Sequence, residues 1–111
     1  MGCIFCSNEV QDNAFLENEL AYVVWDKFPK TNGHCLAIPK RHSESFFQTT
    51  RREREAVFEL LGRAKTLIEQ RDGPDGFNIL INTGAVAGQV VFHAHVHLIP
   101  RYKDDGLSAL G

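Results

Sequence analysis

The chain has 111 residues, of which 43% are hydrophobic, and a formal charge of −2. That length suits one small domain spanning 1–111 with a core of its own. The charge supplies no basic field for nucleic acid, and no apolar run reaches the ~20 residues that a membrane-spanning helix needs. The N-terminal residues lack the basic and apolar stretches of a secretory signal, and Met1-Gly2-Cys3 leads to Cys6 where a myristoylation signal has Ser or Thr. The expected location is cytoplasmic.

Three cysteines argue against a disulfide framework, which needs an even set. Cys3 and Cys6 form a Cys-x-x-Cys. A redox pair would need a strand before it, and none fits there. A metal half-site needs two more ligands, and the histidines can supply them. Cys3–Ser7 is therefore expected to turn around a metal. Residues 14–17 and 20–26 read as two strands joined tightly at Asn18-Glu19. Residues 28–33 have loop chemistry. His34–Ile38 reads as a third strand stopped by Pro39, with Cys35 as a small buried side chain.

Thr50-Arg51-Arg52-Glu53 fits a capping box, so a long helix should follow. Val57, Leu60, Leu61, Ala64, Leu67 and Ile68 recur at helical spacing and form one apolar face. Arg52, Glu55, Glu59, Arg63 and Glu69 read as its solvated face. Asp72-Gly73-Pro74 ends the helix. Residues 77–82 and 90–99 read as the fourth and fifth strands, separated by a small-residue loop. The expected fold is α+β: an antiparallel five-stranded sheet packed on one long helix.

The last strand carries three of the five histidines, His93, His95 and His97, at alternate positions. Side chains in a strand alternate between faces, so the three would share one face at spacings of about 7 Å. A lone histidine in a strand is usually an ordinary hydrogen-bonded side chain. Three in register are harder to explain that way. Such a row can meet a phosphate, a metal, or one of each.

The run His93-Ala94-His95-Val96-His97-Leu98-Ile99 resembles the histidine triad family of nucleotide hydrolases and transferases. Gly33-His34-Cys35-Leu36-Ala37-Ile38-Pro39-Lys40 resembles that family's second block, and Gly76–Asn82 with Gly88-Gln89 resembles its approach to the triad. The resemblance implies the α+β fold above and a homodimer whose two sheets join. It implies that His95 attacks the α-phosphate of a purine nucleotide conjugate, forms a nucleotidyl-histidine, and releases a nucleoside monophosphate. His97 would contact the same phosphate, and His34 would support the nucleophile. Asp26 would take the ribose hydroxyls; Asn82, Gly88 and Gln89 would surround the phosphate. Ile4, Phe5 and Val24 would line the base pocket, although core packing explains them equally well.

The resemblance also implies a structural zinc ion on Cys3, Cys6, His42 and His93. One position departs from the family, which usually has Ser or Thr after Gly-Gln. Val90 cannot donate a proton, and amine leaving groups need one most. The substrate therefore stays open between a dinucleoside polyphosphate and a nucleoside phosphoramidate. Two other readings stay open: a nucleotide-binding adaptor with little turnover, and a metal-dependent hydrolase using all three strand histidines.

Overall fold

Five antiparallel strands pair in the order β1-β2-β3-β5-β4, and a 22-residue helix lies across one face. The computed structural model describes residues 3–110. The strands are β1 (Leu16–Glu17), β2 (Ala21–Trp25), β3 (Cys35–Pro39), β4 (Gly76–Leu80) and β5 (Val96–Arg101). The helices are α1 (Asn8–Asp12) and α2 (Arg51–Asp72). The α+β architecture is the one expected.

Alternation along the central strands builds two cores. Ala21, Val23, Cys35, Ala37, Val96 and Leu98 face α2 and meet its Val57, Leu60, Leu61, Ala64 and Ile68. Burial pushes the Cys35 thiol pKa up to about 12, so it stays a protonated packing group. Tyr22, Val24, Leu36 and Ile38 face the other way and pack on Phe5, Val10 and Val91. With one layer on each side, β2 and β3 are buried almost throughout, which is why they read as continuous apolar runs.

The helix ends follow their sequence signals. Thr50 accepts from the Glu53 N–H at 3.1 Å, and Glu53 accepts from the Thr50 N–H at 2.8 Å. Gly73 closes α2 in the left-handed region at φ 61°. Asn18 makes the β1–β2 connection by accepting from the N–H groups of Leu20 and Ala21.

Two expectations need correction. The segment after Cys6 holds a short helix, α1, capped by Ser7, and β1 is correspondingly short. More important, the fifth strand covers Val96–Arg101, not 90–99. His93 and His95 lie outside it. In the observed register Ala37 pairs with Val96, so continuation would bring Ala94 opposite Pro39. Proline has no N–H to offer the ladder. The chain leaves the sheet instead, and the Ala94 N–H donates to the Ser43 carbonyl at 2.7 Å.

Candidate active site and metal centre

The sheet face opposite α2 opens into a cavity of about 740 Å³, within the usual range for small-molecule sites. Val24 and Leu36 from β2 and β3 contribute apolar wall, and Ile4 and Phe5 close one side. Asp26, Lys27, Phe28 and Lys30 come from the β2–β3 loop. Asn82, Gly88 and Val90 come from the chain entering the histidine segment, and His95 and His97 stand at the polar end.

His97 reaches this face because its register partners on the flanking strands are Leu36 and Leu80. Its Nδ1 lies 3.0 Å from Nε2 of His34. The hydrogen bonds fix the tautomers. The Lys30 N–H donates to Nδ1 of His34, so His34 carries its proton on Nε2. The nearest acceptor for that proton is Nδ1 of His97 at 3.0 Å, ahead of Asp26 Oδ2 at 3.3 Å. His97 then holds its own proton on Nε2. His95 donates from Nδ1 to the His93 carbonyl at 2.8 Å, which leaves its Nε2 lone pair bare. A bare ring nitrogen and a ring N–H thus stand side by side, with ring centroids 5.1 Å apart.

Burial keeps these rings neutral. It lowers the His34 pKa against the pull of Asp26, and it lowers that of His95. Burial, with His95 and His34 as neighbours, pushes His97 down to about 4. Neutral imidazole is the form that can attack phosphorus.

His93 points elsewhere. Its Nε2 donates to the Pro39 carbonyl at 2.7 Å, so its Nδ1 is bare. That atom lies 3.2 Å from Cys3 Sγ, 3.4 Å from Cys6 Sγ and 3.2 Å from His42 Nδ1. Cys6 Sγ is 3.6 Å from His42 Nδ1. A tetrahedral zinc ion, with bonds of about 2.0 Å to nitrogen and 2.3 Å to sulfur, sets edges of about 3.3–3.7 Å between such ligands. The donor set and its spacing fit that geometry. A carbonyl holding the far ring nitrogen of His93 is the usual outer support for a histidine ligand.

The strand histidines therefore do not form one metal site: His93 joins the cysteines, while His97 joins His34 and Asp26. In the second group His34 Nε2 bears a proton and cannot be a ligand.

The HIT domain family model matches residues 7–104. This chain belongs to the HIT domain family. An uncharacterized HIT-like protein of Mycoplasma genitalium is 39% identical over 91% of this chain and 74% of its own length. An adenylylsulfatase of Arabidopsis thaliana is 36% identical over 96% of this chain, which spans 56% of it. An adenosine 5′-monophosphoramidase of Schizosaccharomyces pombe is 30% identical over 95% and 78% of the two chains. The fold of a HIT family protein from Bacillus anthracis superposes with a TM-score of 0.88 at 36% identity, covering 99% of this chain and 81% of that one. A zinc-bound histidine triad protein from Mycobacterium smegmatis gives 0.85 at 33% identity, covering 96% and 80%.

Within this HIT chain, the other expected site residues divide. Asp26 lines the cavity, and its Oδ1 also accepts from the Phe28 N–H, so it serves the turn as well. Asn82 lines the cavity and leans on the Gly88 carbonyl. Gly88 has φ 102°, a region suited to glycine. Gln89 does not reach the cavity. Its amide donates to the carbonyls of Glu44 and Val91 and accepts from the Gly84 N–H. It clamps the loop and has no donor left for a phosphate, which corrects its expected role. His34 contacts His97, not the nucleophile expected beside it. Lys27 and Lys30 line the cavity unanticipated; two lysines within four residues of Asp26, in a chain of net charge −2, were the available signal. The carbonyls of Pro39, Ser43 and His93 left no sequence signal at all.

Proposed function

We propose that the chain is a nucleotide hydrolase or nucleotidyl transferase acting at the α-phosphate of a purine nucleotide conjugate. The observation that carries this reading is the pair of opposite tautomers. His95 Nε2 presents a lone pair, and His97 Nε2 presents a proton beside it. Family membership supports it, as do the two relatives named for adenylyl sulfate and for an adenosine 5′-phosphoramidate.

In this reading His95 Nε2 attacks phosphorus. A P–N bond forms while the bond to the leaving group breaks, its electron pair departing with that group. The His95 ring gains positive charge, which the His93 carbonyl stabilises through the Nδ1 proton. The His97 N–H bonds a phosphate oxygen where charge gathers. Water then attacks phosphorus: a P–O bond forms, the P–N bond breaks with its electron pair returning to His95 Nε2, the water's proton passes to solvent, and the nucleoside monophosphate leaves. Asp26 takes the ribose, and the apolar wall of Ile4, Phe5 and Val24 takes the base. Zinc on Cys3, Cys6, His42 and His93 would be structural, since four protein ligands complete its shell. A homodimer belongs to the same reading: β4 is an edge strand with Ile79 exposed on it. So does a cytoplasmic location; no helix among the described residues is long and apolar enough to cross a membrane.

Val90 supports an adaptor as the second reading. It lines the cavity, is 85% exposed, and offers a leaving group no proton. An equimolar competition between adenosine 5′-phosphoramidate and diadenosine tetraphosphate, read by chromatography, separates the two. AMP from wild type and none from His95→Ala supports the hydrolase, and the substrate consumed first sets its class. Tight nucleotide binding with no product supports the adaptor.

A further inference from the structure

The cavity is uneven in depth and in charge. His95 lies at its floor with the buried Phe5, Val24 and Leu36. Its rim is made of exposed residues: Lys27, Phe28 and Lys30 of the β2–β3 loop, and Gly88 and Val90 of the chain before β5. Attacking and leaving atoms lie roughly in line, so a nucleophile at the floor drives its leaving group toward the rim. Lys27 and Lys30 are the cations there. Among the described residues the lysines in ion pairs are Lys40 and Lys65, so both cavity ammonium groups are free. The field of Lys30 reaches the reacting end: burial is the main cause that lowers the His97 pKa, His95 and His34 follow, and the Lys30 charge lowers it as well. The lining holds no serine, threonine, cysteine or tyrosine. An amine leaving group, which needs a proton to depart, finds no hydroxyl or thiol to give it one. A phosphate or sulfate oxygen departs as an anion and needs positive charge nearby instead.

We propose that Lys27 and Lys30 form a leaving-group subsite for an oxyanion, so that the substrate is a nucleotide joined through its α-phosphate to a phosphate chain or a sulfate. The inference rests on the reading of His95 as nucleophile and names the substrate class for it. In the first step the bond from His95 Nε2 to phosphorus forms. The bond from phosphorus to the bridging oxygen breaks, and its electron pair stays on that oxygen. No proton moves to the leaving group. The departing oxygen gains negative charge, and the two ammonium groups stabilise it more in the transition state than in the bound substrate.

The test measures kcat/KM for diadenosine tetraphosphate, adenylyl sulfate and adenosine 5′-phosphoramidate, which share the adenylyl half. Wild type is expected to favour an oxyanion conjugate over the phosphoramidate by about tenfold or more. In Lys30→Gln, and further when Lys27→Gln is added, that ratio is expected to fall about tenfold. Lys30→Arg keeps the charge and should keep most of the ratio. Added salt should lower it, because salt screens exposed charges. A fall confined to the tetraphosphate identifies a phosphate chain as the ligand, and a fall for the sulfate as well identifies any oxyanion. An unmoved ratio in the glutamine variants places the lysines on the shared adenylyl half and overturns the proposal. A wild type that prefers the phosphoramidate overturns it too. If wild type turns over none of the three, the functional reading fails, and calorimetry judges the subsite alone. Adenosine 5′-tetraphosphate should then bind about tenfold tighter than AMP, and the double variant should lose that margin. No margin in wild type overturns the subsite.

Discussion

His34 and His97 form a directed pair: Nε2 of His34 donates to Nδ1 of His97 across 3.0 Å. The direction comes from a backbone atom, the Lys30 N–H on the far nitrogen of His34. One loop amide thereby decides which nitrogen of His97 faces the cavity with a proton. His34→Ala removes this control. Its kcat is expected to fall about tenfold or more, with the fold intact by circular dichroism. An unchanged kcat would show that His97 needs no such partner.

His97 and His95 should separate in kinetics. His97→Ala removes one donor from the reacting phosphate and should cost about 10²–10³ in kcat. His95→Ala removes the bond-forming atom and should cost more than that. Steady-state assays of both variants give the order, and equal losses would contradict the division of roles.

The pH profile follows from burial. His97 titrates at about 4, and His34 also below the ordinary 6.5 for imidazole. A lowered pKa keeps the neutral ring down to a lower pH. The acid limb of kcat/KM should therefore have its inflection below pH 6.5. An inflection at or above 6.5 would contradict the burial argument.

Much of the scaffold was legible because its signals are local. The capping box at Thr50 and Glu53, the apolar repeat of α2 and the stop at Gly73 each act within a few residues. The four ligand candidates were legible as residue types, and the structure brings them together. The fifth strand was overextended because alternation at His93, His95 and His97 looks like a strand. What ends the strand is Pro39 on its neighbour, a contact made through the fold. Gln89 was misread for a similar reason: its side chain meets Glu44, 45 positions away.

Glu53 does more than cap α2. It is buried, and Arg41 grips both its oxygens at 2.8 and 2.9 Å. That hydrogen-bonded guanidinium holds the carboxyl down to about 2. A depressed pKa stabilises the fold above the unfolded value near 4.3, and the gain is lost as pH falls through 2. With the half-exposed Arg41 screened by solvent, the gain at neutral pH is on the order of 1–2 kcal/mol. Urea melts of wild type and Glu53→Gln should differ by that order at pH 7 and converge near pH 2. A pH-independent difference would assign the loss to packing.

Gly33 tests how the sheet places His34. Its φ is 93°, and an added Cβ would lie 3.1 Å from Pro100 Cγ and 3.2 Å from Asp72 Oδ2. Gly33→Ala should cost about 2 kcal/mol in thermal melts. It should also lower kcat, because His34 is the next residue. Full stability and full activity together would contradict the crowding at this turn.

The central claim is a covalent nucleotide on His95. Protein denatured at alkaline pH during turnover, then weighed intact and mapped by peptide mass, tests it most directly. The account expects a wild-type fraction heavier by one nucleotidyl group, carried on the peptide containing His95 and absent from His95→Ala. Product formed with no adduct in wild type, or an adduct that persists in His95→Ala, would contradict it.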